Sequence, residues 1–280
     1  MPELPEVETI RRRLAPVLEG RRFEHVAIAD PRLTRPFSPE EVARDLEGER
    51  VAALERRGKY LIVRFESGRV LLIHLRMTGS LRHSPAGTSA DDPYERAVVN
   101  LDDGSDVAYR DVRRFGTWLL LEPGEAAEHL EERLGPEPLE GLRTSTLAAS
   151  LAGRRAPVKA AILDQRTVAG VGNIYADEAL WWARIHPLRP ASSLEPYEVK
   201  ALRDAIKRVL QRGIDRQGST LRDYALPDGS SGGMQREFKV YGRLGEPCER
   251  CGTPIERIRV GGRGTWYCPS CQQFDGGSRL

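Results

Sequence analysis

Four cysteines carry the plainest chemistry in this 280-residue chain: Cys248 and Cys251 in CERC, then Cys268 and Cys271 in CPSC after sixteen intervening residues. The first 247 residues contain none. Two CxxC pairs at this spacing are the ligand pattern of a zinc ribbon, in which each pair sits on a tight turn and gives two thiolates to one tetrahedral ion. Two disulfides are the alternative, and a reducing compartment disfavours them. Between the pairs, IERIRV and TWYC predict two strands around Gly261-Gly262-Arg263-Gly264, which sets a basic residue at the tip of a metal-pinned hairpin. A weaker signal is GVGN within VAGVGNIYADEAL. Glycines just before a helix can offer backbone N–H groups to a phosphate, although a plain tight turn accounts for the same residues. The start, MPELPEVE, is unusual in another way: two prolines and three glutamates precede any long apolar segment.

The elements that must position these groups fall into two kinds. Residues 5 to 18 predict a helix, with Val7, Ile10, Leu14 and Leu18 at helical spacing and Pro5 suited to a first turn. Residues 21–30, 50–75, 96–111 and 114–122 then predict strands joined by short turns such as Glu66-Ser67-Gly68 and Asp102-Asp103-Gly104. An α+β multidomain chain follows, whose first domain, over residues 1–132, is antiparallel β in a sandwich or barrel-like arrangement with flanking helices. The Pro- and Gly-rich stretch at 133–141 reads as a hinge. Helices are predicted at 144–165, 173–183 and 196–213, within a helical domain over 142–239. That domain includes a long mobile loop at about 217–235, of the kind that covers a site. The ribbon fills 240–280. From Ser150 onward, 21 Lys and Arg stand against 14 Asp and Glu, leaving 22 against 27 before it, an asymmetry that suits a polyanion-binding C-terminal half and equally a solvated charged surface. No apolar run reaches the length of a membrane span and no secretory h-region opens the chain, so a cytoplasmic protein is expected.

In this order MPELPEVE, GKYL, HLRMTG, DVRRFG, DQRTVAGVGNIYADEAL, VYGRLGEPC and the two CxxC pairs resemble the formamidopyrimidine-DNA glycosylase family from end to end. The resemblance implies a bacterial base-excision-repair enzyme that removes 8-oxoguanine and formamidopyrimidines and then cleaves the abasic strand. It also implies a β-sandwich, a helix–two-turn–helix domain, one structural Zn2+ on four cysteines, damaged double-stranded DNA as partner, and a monomer in the cytoplasm near the nucleoid.

On that resemblance Pro2, freed by removal of Met1, is the nucleophile. A secondary α-amine ionises at about 8, so a useful fraction is neutral, and the positive end of the following helix pushes the value down. Glu3 is its acid/base partner, Glu6 orients the terminus, and Glu8 is expected only to complement the helix dipole. Lys59 resembles the lysine that assists β-elimination, and Arg263 the arginine that grips phosphate and assists δ-elimination. Met77, Arg113 and Phe115 match a wedge that fills the hole left by a flipped base and reads the orphaned cytosine. Arg114, Arg155, Lys159 and Asn173 match phosphate contacts, and Arg96 stands where family members often carry a histidine. Two other readings remain open: an endonuclease VIII-type glycosylase for oxidised pyrimidines, which usually lacks this opening and this triad, and a non-catalytic zinc-ribbon damage sensor.

Overall fold

A computed structural model describes residues 2–88, 92–221 and 224–274. Two compact units emerge, Met1–Glu132 with Arg216–Gln235, and Arg133–Asp215 with Arg236–Leu280. The first opens with α1 (Leu4–Leu18), β1 (Phe23–Ile28), α2 (Pro39–Leu46), β2 (Val51–Arg57), β3 (Tyr60–Phe65) and β4 (Val70–His74). It continues with β5 (Gly79–Ser84), β6 (Glu95–Leu101), β7 (Asp106–Asp111), β8 (Thr117–Leu121) and α3 (Glu125–Glu131). Two antiparallel four-stranded sheets result, in the orders β1-β6-β7-β5 and β2-β3-β4-β8. Alternation supplies the core: Leu61 and Val63 of β3, Leu71 and Ile73 of β4, and Val107 and Tyr109 of β7 are buried in one cluster, and a register shift between Phe23 and His25 lets Phe23 and Val26 of β1 join it. Helix α1 adds Val7, Ile10, Leu14 and Leu18 to it, the set its 3.6-residue period predicts. Each such side chain contributes about 1.5–3 kcal/mol when fully buried.

Three elements of this unit escape the sequence reading, among them α3, which buries only Ala126 and Leu130. Strand β5, GSLRHS, has a single apolar side chain, Leu81, so it lacks an alternating signal. Helix α2 is short and buries only Val42 and Leu46, although its cap is legible: Ser38 accepts from Glu41 N at 3.1 Å.

In the second unit, α4 (Thr144–Leu151), α5 (Val158–Leu163), α6 (Asn173–Ala183) and α7 (Pro196–Asp215) lead to a hairpin of β9 (Glu256–Val260) and β10 (Arg263–Tyr267). The single helix expected over 144–165 is broken in two. Gly153 turns at φ +70°, and Pro157, which has no N–H to give, is extended with ψ 139° before α5. Residues 216–235 pack with the first unit rather than with the helices, because Tyr224 and Leu226 join the sandwich core and His83 N donates to Pro227 O at 3.0 Å. The loop is therefore anchored where free mobility was expected; residues 222 and 223 lie outside the described set.

Candidate active site and zinc centre

Glu3 caps α1 in an extended conformation and donates its backbone N–H to Glu6 Oε2 at 2.9 Å. A capping box joins the two residues, and both are buried. The other Glu6 oxygen, Oε1, accepts from Ser219 N at 2.8 Å and from Ser219 Oγ at 3.2 Å. Tyr224 donates to Glu6 O at 3.4 Å. Burial and the nearby Glu6 carboxylate raise the Tyr224 phenol far above its ordinary value, so it acts as a donor throughout the working pH range. Gly218, at φ +77°, lies so close that a Cβ would sit 2.9 Å from Glu6 Cγ. One carboxylate thus ties the residue next to Pro2 to the loop at 217–235. Met1 lies outside the described residues.

Lys59 is buried in the two-residue turn Gly58-Lys59, closed by the Arg57–Tyr60 pair of β2 and β3. Its link to α1 is a residue the sequence reading undervalues. Glu8 accepts from Arg11 and Arg12 on its own helix, both at 2.8 Å, and from Arg56 Nε at 3.1 Å. Arg56 in turn donates to Gly58 O at 3.2 Å. Glu8 is therefore more than a dipole complement: it couples the first helix to the Lys59 turn. Burial raises the Glu8 carboxyl, but the hydrogen bonds from Arg11 and Arg12 outweigh it and leave the value at about 2. His74 on β4 packs edge-on against Tyr60 at 4.8 Å and accepts from Arg76 N at 3.0 Å. Burial, with Arg76 and Lys59 nearby, brings its value down to about 3, so the imidazole is neutral.

The expected wedge residues sit on two neighbouring turns. Met77 follows Arg76, which turns at φ +51°, and is half-buried; Arg113 and Phe115 are exposed, with the Arg113 guanidinium 4.8 Å from the Phe115 ring centroid. Between Arg113 and Phe115, Arg114 is likewise left-handed at φ +59° and is ion-paired to the buried Asp30. Arg96 gives its Nε to Asp111 O at 3.0 Å and its Nη1 to Pro93 O and Glu95 O. Its cationic head is thus largely occupied by backbone carbonyls.

Within the second unit, Arg155 is exposed between α4 and α5, and Arg263 is exposed as the first residue of β10. Arg263 pairs with Val260, so the hairpin turn itself is Gly261-Gly262, both at positive φ. Lys159 departs from expectation. It is fully buried, 2.7 Å from Asp177 Oδ1 in an ion pair rather than an aligned hydrogen bond, and it donates to Thr265 Oγ1 at 2.8 Å and Gly264 O at 3.1 Å. Its three partners use the ammonium inside the protein, so this geometry does not present it to a phosphate. Asn173 likewise donates to Gly264 O at 3.1 Å. The GVG turn is stitched by Gln165, which accepts from Gly170 N at 2.9 Å and donates to Val171 O at 2.8 Å.

The four cysteine sulfurs lie within 4.8 Å of one another. Cys251 and Cys268 are 3.5 Å apart and Cys248 and Cys271 4.0 Å, far beyond a disulfide bond of about 2.05 Å. Tetrahedral Zn–S bonds of about 2.3 Å put sulfurs roughly 3.8 Å apart, so the donor set fits one zinc ion. Cys248 Sγ also accepts from Trp181 Nε1 at 3.4 Å, the outer-shell hydrogen bond that a thiolate ligand uses.

Three family descriptions match consecutive segments. They are the formamidopyrimidine-DNA glycosylase N-terminal domain over residues 1–118, the formamidopyrimidine-DNA glycosylase H2TH domain over 134–225, and the zinc finger found in FPG and IleRS over 245–273. A formamidopyrimidine-DNA glycosylase of Symbiobacterium thermophilum is 49% identical, the match covering 100% of this chain and 92% of the relative. That of Bacillus subtilis is 45% identical over 97% and 99% of the two chains. Among solved structures, a Lactococcus lactis FPG mutant bound to Fapy-dG-containing DNA superposes with a TM-score of 0.92 at 38% identity, covering 98% of this chain and all of that one. The Lactococcus lactis Fpg bound to DNA with an abasic site gives 0.91 at 37% identity, over 97% of this chain and 100% of that one. The capped N-terminal helix, the anchored loop and the four-cysteine hairpin occur in a chain that belongs to the formamidopyrimidine-DNA glycosylase family.

Proposed function

We propose that the chain is a base-excision-repair DNA glycosylase with AP lyase activity, which removes 8-oxoguanine and formamidopyrimidines from duplex DNA. The observation that carries this reading is the start of α1. Pro2 and Glu3 stand at the positive end of a 15-residue helix, with Glu6 gripping the Glu3 N–H on one side and Ser219 on the other. An N-terminal proline fixed there presents a secondary amine that the helix end favours in its neutral, nucleophilic form.

The chemistry then balances in three steps. The Pro2 nitrogen, once Met1 is removed, attacks the sugar C1′; the C1′–N bond breaks, the base leaves with a proton, and Glu3 protonates the opening ring oxygen. The resulting iminium acidifies the 2′ hydrogens, so loss of one expels the 3′ phosphate, with Lys59 assisting as a cation beside the strand. A second elimination expels the 5′ phosphate, with Arg263 balancing the leaving charge. Cys248, Cys251, Cys268 and Cys271 would hold a zinc ion whose part is to fix the hairpin that carries Arg263. Met77, Arg113 and Phe115 fill the duplex after flipping; Arg155 serves as a phosphate contact, and Arg114 and Arg96 add only the donors that Asp30 and the backbone carbonyls leave unused. Asn173 and Lys159 support that surface through Gly264.

A second reading keeps the chemistry and changes the base. One Lactococcus lactis FPG structure is described as a complex with an oxidized pyrimidine containing DNA, so the fold accepts such DNA in that protein. Among the described residues no helix is long and apolar enough to cross a membrane; a monomer acting in the cytoplasm suits an enzyme that wraps a single duplex. Borohydride trapping on an 8-oxoguanine duplex tests the mechanism: a covalent adduct is expected, and wild-type protein that traps neither 8-oxoguanine nor abasic DNA sinks it. Faster release of thymine glycol than of 8-oxoguanine, in the same assay, transfers the chain to the pyrimidine reading.

A further inference from the structure

We propose that Asp111, seconded by Thr78, is the positioning residue that sets Met77, Arg113 and Phe115 as one rigid wedge; this rests on the DNA-glycosylase reading above. Asp111 ends β7 and is almost fully buried, yet all four donors to its carboxylate lie on the two wedge turns. Its Oδ1 accepts from Thr78 Oγ1 at 2.5 Å and from Arg113 N at 3.2 Å. Its Oδ2 accepts from Phe115 N at 2.9 Å and from Gly116 N at 2.8 Å. The buried Thr78 hydroxyl, next in chain to Met77, accepts from Arg113 N at 3.0 Å, so it joins the turn that carries Met77 to the one that carries Arg113 and Phe115.

The surroundings leave these turns little room to relax. Gly79 pairs with Asp111 across β5 and β7, and a Cβ on it would lie 2.4 Å from Tyr109 Oη. A Cβ on Gly116 would lie 1.7 Å from the same oxygen. Tyr109 Oη has no hydrogen-bond partner among the described residues, which marks it as a space-filling wall between the turns. Arg96 holds the Asp111 carbonyl from outside, and Asp30 holds Arg114 between the two wedge positions. A carboxylate that spends both oxygens on the N–H groups of two exposed, chemistry-bearing residues is placed to aim them. A carboxylate serving the core alone would bond to the strands.

The acceptor count makes the inference testable. An amide has one acceptor oxygen, so Asp111→Asn, nearly isosteric, turns an NH2 either toward the N–H groups of Phe115 and Gly116 or toward that of Arg113, where the Thr78 hydroxyl would also have to change from donor to acceptor. Thr78→Val removes the hydroxyl while keeping the shape, and Thr78→Ser restores it. The full zinc-loaded chain is assayed for 8-oxoguanine excision opposite cytosine and opposite adenine in duplex. Borohydride trapping is run beside it on a single-stranded abasic oligonucleotide, which has no stack to fill. Asp111→Asn and Thr78→Val are expected to lose roughly tenfold or more of duplex excision and of cytosine-over-adenine selectivity, with single-strand trapping within about twofold of wild type and Thr78→Ser close to wild type. Equal losses on duplex and single strand, or unchanged duplex excision and selectivity, overturn the positioning role. Wild-type protein inactive on both substrates overturns the glycosylase reading itself, a result distinct from either. If Asp111→Asn does not fold, the Thr78→Val and Thr78→Ser pair decides alone.

Discussion

Replacing Lys159 with methionine separates two roles that one sequence motif allows. As a phosphate contact, the lysine would contribute to DNA binding and little to folding. As the structure places it, Lys159 has no exposed surface, and its ammonium holds Asp177, Thr265 and Gly264, the last two in β10 immediately after Arg263. Removing one partner of a buried ion pair costs about 3–5 kcal/mol, because the other charge is left in a poor solvent. Here Asp177 can escape part of that cost by taking up a proton. Burial already raises its carboxyl from 3.8 to about 7 in spite of Lys159, and without the lysine it rises further. A carboxyl raised in the folded state favours folding below its unfolded value and loses that advantage as pH climbs toward the folded one. Lys159→Met should therefore be destabilising at pH 8 by ~3–5 kcal/mol, roughly 10 °C in Tm, and by about 1.4 kcal/mol less at pH 5, because the two proteins bind different numbers of protons only above pH 7. Lys159→Met with Asp177→Leu removes both charges and should recover most of the loss. Thermal unfolding of zinc-loaded protein at the two pH values measures this, and the salt dependence of duplex binding supplies the control. A variant less than about 1 kcal/mol weaker at both pH values, with a salt slope reduced by about one phosphate's worth, would refute the buried role and return Lys159 to the DNA.

Two further perturbations test other joints. Glu8, lowered from 4.5 to about 2 by its arginine partners against the opposing effect of burial, supports folding above pH 4.5 and loses that support as pH falls toward 2. The whole shift corresponds to about 3 kcal/mol, which partial solvent screening cuts to ~1–2 kcal/mol. Wild type should exceed Glu8→Gln by that amount at pH 7, with the gap closing between pH 4.5 and 2 in urea titrations; a gap that persists at pH 2 contradicts the assignment. Gly116→Ala brings a methyl 1.7 Å from Tyr109 Oη and should cost about 2–3 kcal/mol by overpacking, partly relieved by Tyr109→Phe. A loss under about 0.5 kcal/mol in the same titration would show that the turn yields freely.

The helical period of α1 and the CxxC spacings were legible because one short-range rule governs each: apolar positions every three to four residues, and two thiolates per tight turn. Strand β5 was not, since its place depends on pairing with β7, 22 or more residues along the chain, and not on any pattern of its own. The proposed site residues divide the same way. Pro2, Glu3, Lys59 and Arg263 are proposed from local motifs that resemble the family's. Asp111 and Thr78 could not be, because DV and MTG flag neither residue until β5 and β7 bring them together at 2.5 Å. The loop at 217–235 carried the composition of a mobile segment, and its first residues are held by the buried Glu6 carboxylate together with hydrogen bonds inside the loop, such as Met234 N to Gly218 O. A buried acceptor with two lone-pair-rich oxygens must find donors, and backbone N–H groups distant in sequence supply them. Glu6 and Asp111 solve that problem alike, each ordering a segment with chemistry to perform.

Charge bookkeeping along the proposed DNA surface follows from the same geometry. Among the described residues the guanidinium groups of Arg155 and Arg263 are in no hydrogen bond or ion pair, and that of Arg113 rests only on the Phe115 ring. Arg114 is ion-paired to Asp30, whose carboxyl its hydrogen bonds hold below the usual carboxylate range. A phosphate meeting Arg155 or Arg263 gains a cation at no internal loss. At Arg114 it meets a charge already neutralised by a buried carboxylate, so the attraction left over is weaker and depends on the donors that Asp30 does not use. The free arginines are thus the ones able to set affinity and its salt dependence, while Arg114 serves first to hold the turn between Arg113 and Phe115 in shape. Positive charge counted from the sequence overstates the grip on DNA, because part of it is already spent on the fold.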